Sequence, residues 1–278
     1  MYPGFSDGRN NMADHAMNRD GNRRVENGRL VYYNRTADQD FWEGVWLNEL
    51  TAQYYAPFLA GKLYLFEKMF KLHLPRQGRI LEAGCGTAQQ VVALNANGYN
   101  CFGLDYAFHA MQRANQIAGP LRLVCGDVTA LGLADGVFDA VISIGVVEHR
   151  REGPEPFLVE MRRILKPGGT MLISVPYFNP LRRWRAKRGA YQDDVSGLNF
   201  YQYAFTREEF CRILEEADFE IEATHSYAHQ NTLNQELLWL KRIPPFLQRL
   251  VLRISKYVPY VNSEIGHMLM AVARKKAG

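Results

Sequence analysis

From Arg79 onward, short apolar runs alternate with stretches of helical periodicity, and this alternation constrains the fold more than any other feature of the chain. Runs of this length suit strands buried on both faces. Strands are predicted near 79–83, 100–104, 121–125, 138–144 and 169–175, with helices near 88–98, 107–117 and 156–165. Strand and helix in regular turn are the sequence form of a parallel sheet covered by helices on both sides. The regularity lapses after Val175 and returns as a helix at 206–217, a strand near 219–226 and a last strand at 267–274.

What lies outside the alternation reads as added elements. Residues 1–29 are polar, with scattered apolar side chains, and are expected to be a flexible leader. An N-terminal helical cap is expected over 30–74. There Leu30, Val31, Tyr32 and Tyr33 open a segment continued by Phe41, Trp42, Trp46 and Leu50 at a spacing of about four. A second helix is predicted from Phe58 to Leu72, closed by Pro75 and Gly78. Two further cap insertions are expected at 177–204 and 230–258, so that 30–278 form one domain.

Composition narrows the class. With 47% apolar and 22% charged residues the chain is an ordinary globular one, and no eighteen-residue apolar window offers a bilayer-spanning helix. Cys85, Cys101, Cys125 and Cys211 are widely spaced and no apolar signal core precedes them, which points to reduced thiols and a cytoplasmic protein. Without a Cys-x-x-Cys pair no metal site is expected. The net charge of +4 resides in the C-terminal part: residues 178–278 carry 15 basic and 11 acidic side chains. That excess suits an anionic surface or substrate and equally a solvated face.

The chemistry gathers at the ends of the predicted strands. Glu82-Ala83-Gly84-Cys85-Gly86-Thr87-Ala88 is a strand entering a turn with two glycines before a helix, which lets backbone approach a ligand at a helix N-terminus. Asp105 ends the next strand, where α/β nucleotide folds place a ribose-binding carboxylate. Gly126-Asp127 ends the third, and Phe138-Asp139 opens a fourth that closes in Ile144-Gly145-Val146-Val147-Glu148-His149. A dinucleotide site is the rival for the same turn. Its fingerprint requires glycine where Gln89 stands, and it leaves Gly126-Asp127 and Lys166-Pro167-Gly168-Gly169 without a role.

These motifs together resemble a class I S-adenosylmethionine-dependent methyltransferase, firmly over 79–175 and more loosely over 200–275, and within that family the small-molecule and quinone-type branch. The resemblance implies a Rossmann-like α/β fold with a seven-stranded, mostly parallel sheet, helices on both faces, and a last strand antiparallel beside the fifth. It implies S-adenosylmethionine as cofactor and S-adenosylhomocysteine as product. It assigns Glu82 to organising the first turn and the methionine amino group, and Gly84, Cys85 and Gly86 to the methionine moiety. Asp105 falls to the ribose, Tyr106, Asp127 and Val128 to the adenine, and Ile144 and Gly145 to the floor beneath the sulfonium. Two departures stand out. Ala88 replaces a frequent third glycine, and Gly145 occupies the place of an acid that binds metal in some quinone O-methyltransferases.

The acceptor is read as a small-molecule or lipid-like compound, aromatic or quinone-type among the options, with no nucleic acid as partner. His149 is the candidate general base, since a histidine titrating near neutrality suits removal of a phenol or enol proton. The same Glu148-His149 pair also fits a purely structural role. Tyr33, Tyr177 and Tyr203 are the candidate substrate-binding aromatics, ahead of Trp42 and Trp46, which are expected to pack the cap. Residues 244–258 read as a basic amphipathic helix, suited to packing as part of the cap or to peripheral membrane contact. A non-catalytic S-adenosylmethionine-binding sensor or interaction protein is the alternative function.

Overall fold

The computed structural model describes residues 22–34, 41, 42, 44, 46 and 50–276; the expected leader at 1–21 lies outside them. In chain order, β1 (Arg23–Glu26) and β2 (Arg29–Asn34) precede α1 (Ala52–Leu59) and α2 (Glu67–His73). The alternating core runs β3 (Arg79–Ala83), α3 (Gln89–Ala96), β4 (Asn100–Asp105), α4 (Phe108–Ala118), β5 (Leu123–Cys125), β6 (Phe138–Ile144), α5 (Glu155–Ile164) and β7 (Leu165–Pro176). Then come α6 (Pro180–Lys187), β8 (Asn199–Ala204), α7 (Arg207–Glu216) and β9 (Phe219–Tyr227). The chain closes through α8 (His229–Glu236), α9 (Pro245–Ser255), α10 (Pro259–Glu264) and β10 (Met268–Lys275).

Seven of these strands form one sheet in the order β5-β4-β3-β6-β7-β10-β9, the mostly parallel seven-stranded sheet with an antiparallel last strand that the resemblance implies. Ile80 sits between Cys101 and Ala140 in parallel register, while β10 runs antiparallel between β7 and β9, with Leu172 opposite Val272 and Tyr227 opposite Met268. Side chains alternate across the sheet with period two. Ile80, Ile142, Leu172 and Val272 face α1 to α4, and Leu81, Val141, Ile173 and Ala271 face α5 and α7. Both faces are therefore dry, which explains why these strands read as continuous apolar runs.

The added elements depart from expectation in two places. Leu30 to Tyr33 are strand, not helix: β1 and β2 form a hairpin that pairs with β8 in a separate three-stranded antiparallel sheet. The cause is Asn27-Gly28, whose φ values of 48° and 84° make the two-residue turn that matches strand twist and sets Glu26 opposite Arg29. The hairpin starts at Arg23 and so takes in the last residues of the expected leader 1–29. The single helix predicted over 58–72 is broken into α1 and α2. Gly61, at φ +75°, ends the first, and Asn97 Nδ2 donates to the Gly61 carbonyl at 2.8 Å, satisfying an acceptor the broken helix leaves over. The expected cap insertion at 177–204 contains α6 and β8. Among the described residues no helix is long and apolar enough to cross a membrane.

Candidate active site

The carboxyl ends of β3, β4, β5 and β6 bring the sequence-named residues to one edge of the sheet. Gly84 has φ +79°, and a Cβ there would stand 2.4 Å from Val146 Cγ2, so only glycine lets the turn pass the end of β6. Gly84 and Cys85 donate their N–H groups to the Leu104 carbonyl at 2.8 and 3.0 Å. The turn is thereby tied to the end of β4.

Asp105 completes the tie. Its Oδ2 accepts from Gly86 N–H at 2.7 Å and its Oδ1 from Ala107 N–H at 2.9 Å, so the carboxylate is aimed by two backbone turns before any ligand arrives. The N-terminal region hangs on the same turn: Tyr55 donates to the Thr87 carbonyl at 2.6 Å and Tyr54 to Gln89 Oε1 at 2.7 Å. Asp127 Oδ1 accepts from Thr129 N–H and Oγ1, which shapes the turn after β5, with Val128 buried beneath. Tyr106 is half-buried beside it. Cys85 is buried, and desolvation pushes its thiol well above its usual range, so it lines the turn as an inert apolar group. Ala88 holds a left-handed conformation (φ 56°), one that favours glycine, at the N-cap of α3.

Two buried carboxyl groups flank this edge. Glu82 is 4% exposed, and burial raises its pKa to about 8; the Val91 N–H opposes the rise and the Asp105 charge adds to it. Glu148, 1% exposed, is likewise raised to about 8 by burial against the pull of its own N–H. Among the described residues the Oε2 atom of each has no hydrogen-bond partner, nor has the buried Ser143 hydroxyl. Buried acceptors left unpaired are costly, so such a pair marks where a ligand's donors belong. Gly145 (φ +71°) lies beside Glu148: its N–H donates to the Ser174 carbonyl at 3.1 Å, and a Cβ there would stand 3.6 Å from Glu148 Oε1. Ile144 is half-buried beside it. Farther along the edge the Ser174 and Tyr227 hydroxyls meet at 2.9 Å.

His149 is held rather than poised. Its Nδ1 donates to the Tyr201 carbonyl at 2.9 Å, which fixes the tautomer, and burial lowers its pKa to about 4 against the pull of that bond. The ring meets Tyr201 edge-on at 4.9 Å and Trp42 at 5.0 Å, and Trp42 stacks on Trp46 at 5.4 Å. Trp46 in turn lies over the glycine turn, so that a Cβ on Gly86 would stand 3.1 Å from its ring. An aromatic wall of Trp42, Trp46 and Tyr201 thus faces the strand ends.

The three tyrosines named from sequence stand elsewhere in the cap. Tyr33 donates to Glu26 Oε1 at 2.5 Å across the hairpin, and Tyr203 donates to the Arg151 carbonyl at 2.9 Å with Arg29 over its ring. Tyr177 is buried on the face covered by α7, beside Arg207. Sequence reasoning ranked Trp42 and Trp46 below them because a helical aromatic stripe carries no sign of which surface it covers. A shallow depression of about 370 Å³ at the opposite edge, lined by residues including His73, Asp139, Lys166 and Arg274, contains none of the site residues.

A doubly covered parallel sheet with a glycine turn, a ribose-placed aspartate and a second acidic turn on its carboxyl edge defines a nucleotide-cofactor α/β enzyme. Known proteins narrow this. Residues 81–173 match the methyltransferase domain model. An Encephalitozoon cuniculi protein named as a methyltransferase is 31% identical over 158 residues, covering 52% of this chain and 72% of that one. A Mycolicibacterium smegmatis protein named as an S-adenosylmethionine-dependent methyltransferase is 27% identical over 65% of this chain and 68% of its own. A demethylmenaquinone methyltransferase of Mycolicibacterium vanbaalenii is 37% identical over 106 residues, of which the chain spans 43% of the length. The fold is shared with an S-adenosylmethionine-dependent methyltransferase structure from Methanosarcina mazei (TM-score 0.54, 17% identity, 78% of this chain and 100% of that one). The chain belongs to the class I S-adenosylmethionine-dependent methyltransferases, and S-adenosylmethionine is its cofactor.

Proposed function

We propose that the chain transfers the methyl group of S-adenosylmethionine to a small-molecule or lipid-like acceptor held between the ends of β6 and β7 and the wall of Trp42, Trp46 and Tyr201. The observation that carries this reading is the pair of buried carboxyl oxygens on Glu82 and Glu148 that have no partner among the described residues, the Glu148 carboxyl lying beside Gly145. The residues fit the cofactor: Glu82 would take its amino group, Gly84 to Gly86 its methionine chain, Asp105 its ribose, and Tyr106, Asp127 and Val128 its adenine. Ile144 and Gly145 would lie beneath the sulfur.

The cofactor supplies an electrophilic methyl on a sulfonium. Held by Glu82, Gly84 to Gly86 and Asp105, it would offer that methyl carbon to a lone pair of the acceptor and be left as a neutral thioether. The protein's part is alignment and exclusion of water. Glu148 accepts a hydrogen bond from the acceptor, and its raised pKa suits it to take a proton. His149 stays neutral throughout the physiological range and positions Tyr201. Tyr33 and Tyr203 act on the acceptor indirectly, by holding the sheet that carries Tyr201. A quinone-type acceptor is the narrower form of the proposal, supported by likeness to demethylmenaquinone methyltransferase over part of that enzyme.

The test is transfer of radiolabelled methyl from S-adenosylmethionine to extracted small molecules and lipids, with cofactor binding followed by calorimetry. Glu148→Gln should cut turnover at least tenfold while leaving S-adenosylhomocysteine affinity within about threefold. His149→Asn, which keeps an N–H for Tyr201, should retain more activity than His149→Ala, and a base role would be indicated if both lost activity equally. Cofactor binding with no transfer to any fraction would establish the sensor reading instead.

A further inference from the structure

We propose that residues 238–260 are a docking surface for an anionic lipid bilayer. The segment belongs to the insertion between β9 and β10, and since β9 ends and β10 begins at the carboxyl edge, it stands at the same edge as Gly84, Asp105 and Gly145. One side of it is anchored. Val251 and Leu252 of α9 pack with Leu233, Leu240 and Ile265, so the helix is seated and its orientation set.

The opposite side is apolar and turned to solvent. Phe246 is 64% exposed, Leu250 50% and Ile254 53%, at a spacing of four along one face of α9. Leu238, Trp239, Leu247, Tyr257, Val258 and Tyr260 extend the patch, so nine of the seventeen large apolar side chains exposed among the described residues fall within this one stretch. A water-facing cap helix has no reason to carry them there, and such a patch marks an interaction site. Trp239, Tyr257 and Tyr260 have apolar bodies and polar tips, the side chains that settle at a headgroup interface.

Charge selects the occupant. Lys241, Arg242, Arg249, Arg253 and Lys256 are all exposed around the patch, and no acidic residue occurs between Glu236 and Glu264. A second copy docking through the same face would set five positive charges against five. Anionic headgroups neutralise them while the acyl boundary takes the apolar stripe, which is how a basic amphipathic helix lies in an interface. At eleven residues α9 lies on a bilayer and does not span it. Only the consequence, that the acceptor edge faces the lipid, rests on the function proposed above; the docking itself does not.

The experiment is flotation of the full chain with phosphatidylcholine vesicles and with mixed phosphatidylcholine–phosphatidylglycerol vesicles, each at low and high salt. Calorimetric binding of S-adenosylhomocysteine serves as the check on folding and on the cofactor site. The wild type should float with the mixed vesicles and remain behind with phosphatidylcholine alone. Reversing three charges in R249E/R253E/K256E should lower partition by about a hundredfold or more. The apolar variant F246S/L250S/I254S should abolish flotation with cofactor affinity unchanged, the changed side chains being exposed. The proposal falls if the folded wild type does not float with mixed vesicles, or if flotation survives both variants. It falls equally if sedimentation reveals a dimer or a complex with an acidic protein that the apolar variant breaks while vesicles do not bind. Loss of methyl transfer with flotation intact would count against the proposed function alone.

Discussion

Glu236 in the cap and Glu82 at the sheet edge are both shut away from water, yet their surroundings have opposite effects on their charge. Glu236 receives Arg23 and Arg182 on Oε1, at 2.8 and 3.1 Å, and Arg185 and the Tyr191 hydroxyl on Oε2, at 2.8 and 2.6 Å. Burial raises its pKa, but the arginines outweigh it and hold the carboxyl below its usual range. Arg182, fully buried, also donates to the Tyr177 carbonyl and to His267 Nδ1, so one network joins β1, α6, α8 and the start of β10. Among the described residues Glu82 has no ion-pair partner and one unpartnered oxygen, and its pKa is raised. The satisfied carboxylate is internal structure. The unsatisfied one is where we propose that a ligand's donor is received.

The largest expected effect breaks the satisfied side. Glu236→Ala would leave Arg182 buried without its counter-ion and should cost about 3–5 kcal/mol in urea unfolding. A loss below about 1 kcal/mol would mean that the network is incidental.

Next comes pH, which should separate the two carboxyls by sign. Glu82 has a folded pKa above its unfolded value, so its contribution to stability is complete below the unfolded pKa, near 4.5, and is lost as pH rises toward 8. Glu236 is the reverse: its contribution is present above the unfolded pKa and is lost as pH falls through the lowered one. His149, lowered to about 4, also loses stability on acidification, here below its unfolded pKa. The difference between wild type and Glu82→Gln isolates the first term. Without cofactor, Tm of the wild type relative to that variant should fall between pH 5 and 8, by an amount corresponding to a few kcal/mol, order of magnitude.

Asp105→Ala sharpens the ligand side. It removes a charged acceptor aimed by Gly86 and Ala107, and S-adenosylhomocysteine should bind about thirtyfold more weakly, or about 2 kcal/mol, in calorimetry. The smallest effect concerns the turn itself. Ala88→Gly relieves a left-handed alanine but deletes a buried methyl, terms of about 1 kcal/mol each that offset. Unfolding should therefore shift by less than about 1 kcal/mol in either direction.

The core strands were legible in sequence because burial on both faces writes itself as apolar runs, and the turns because Gly84 and Gly145 sit where a Cβ would collide or φ is positive. The hairpin was legible as well in Asn27-Gly28, a signal passed over in favour of the aromatic spacing that follows. The basic excess over 178–278 suited an anionic partner or a solvated face, yet within it Arg182 is wholly internal and Arg185 mostly so.

The sequence by itself determined the buried core strands and the glycine turn, because each depends on local period or on backbone geometry within a single turn, while the seven-stranded sheet and the residues expected along its carboxyl edge came from the resemblance its motifs carry. Tertiary structure decided which aromatics face the site and which arginines are buried. Trp46 meets Gly86 from forty positions away, and Glu236 draws its partners from positions 23, 182, 185 and 191. Contacts between elements so far apart leave no period in the chain. They exist only once the sheet has brought the elements together and shut out the water that would otherwise solvate those charges.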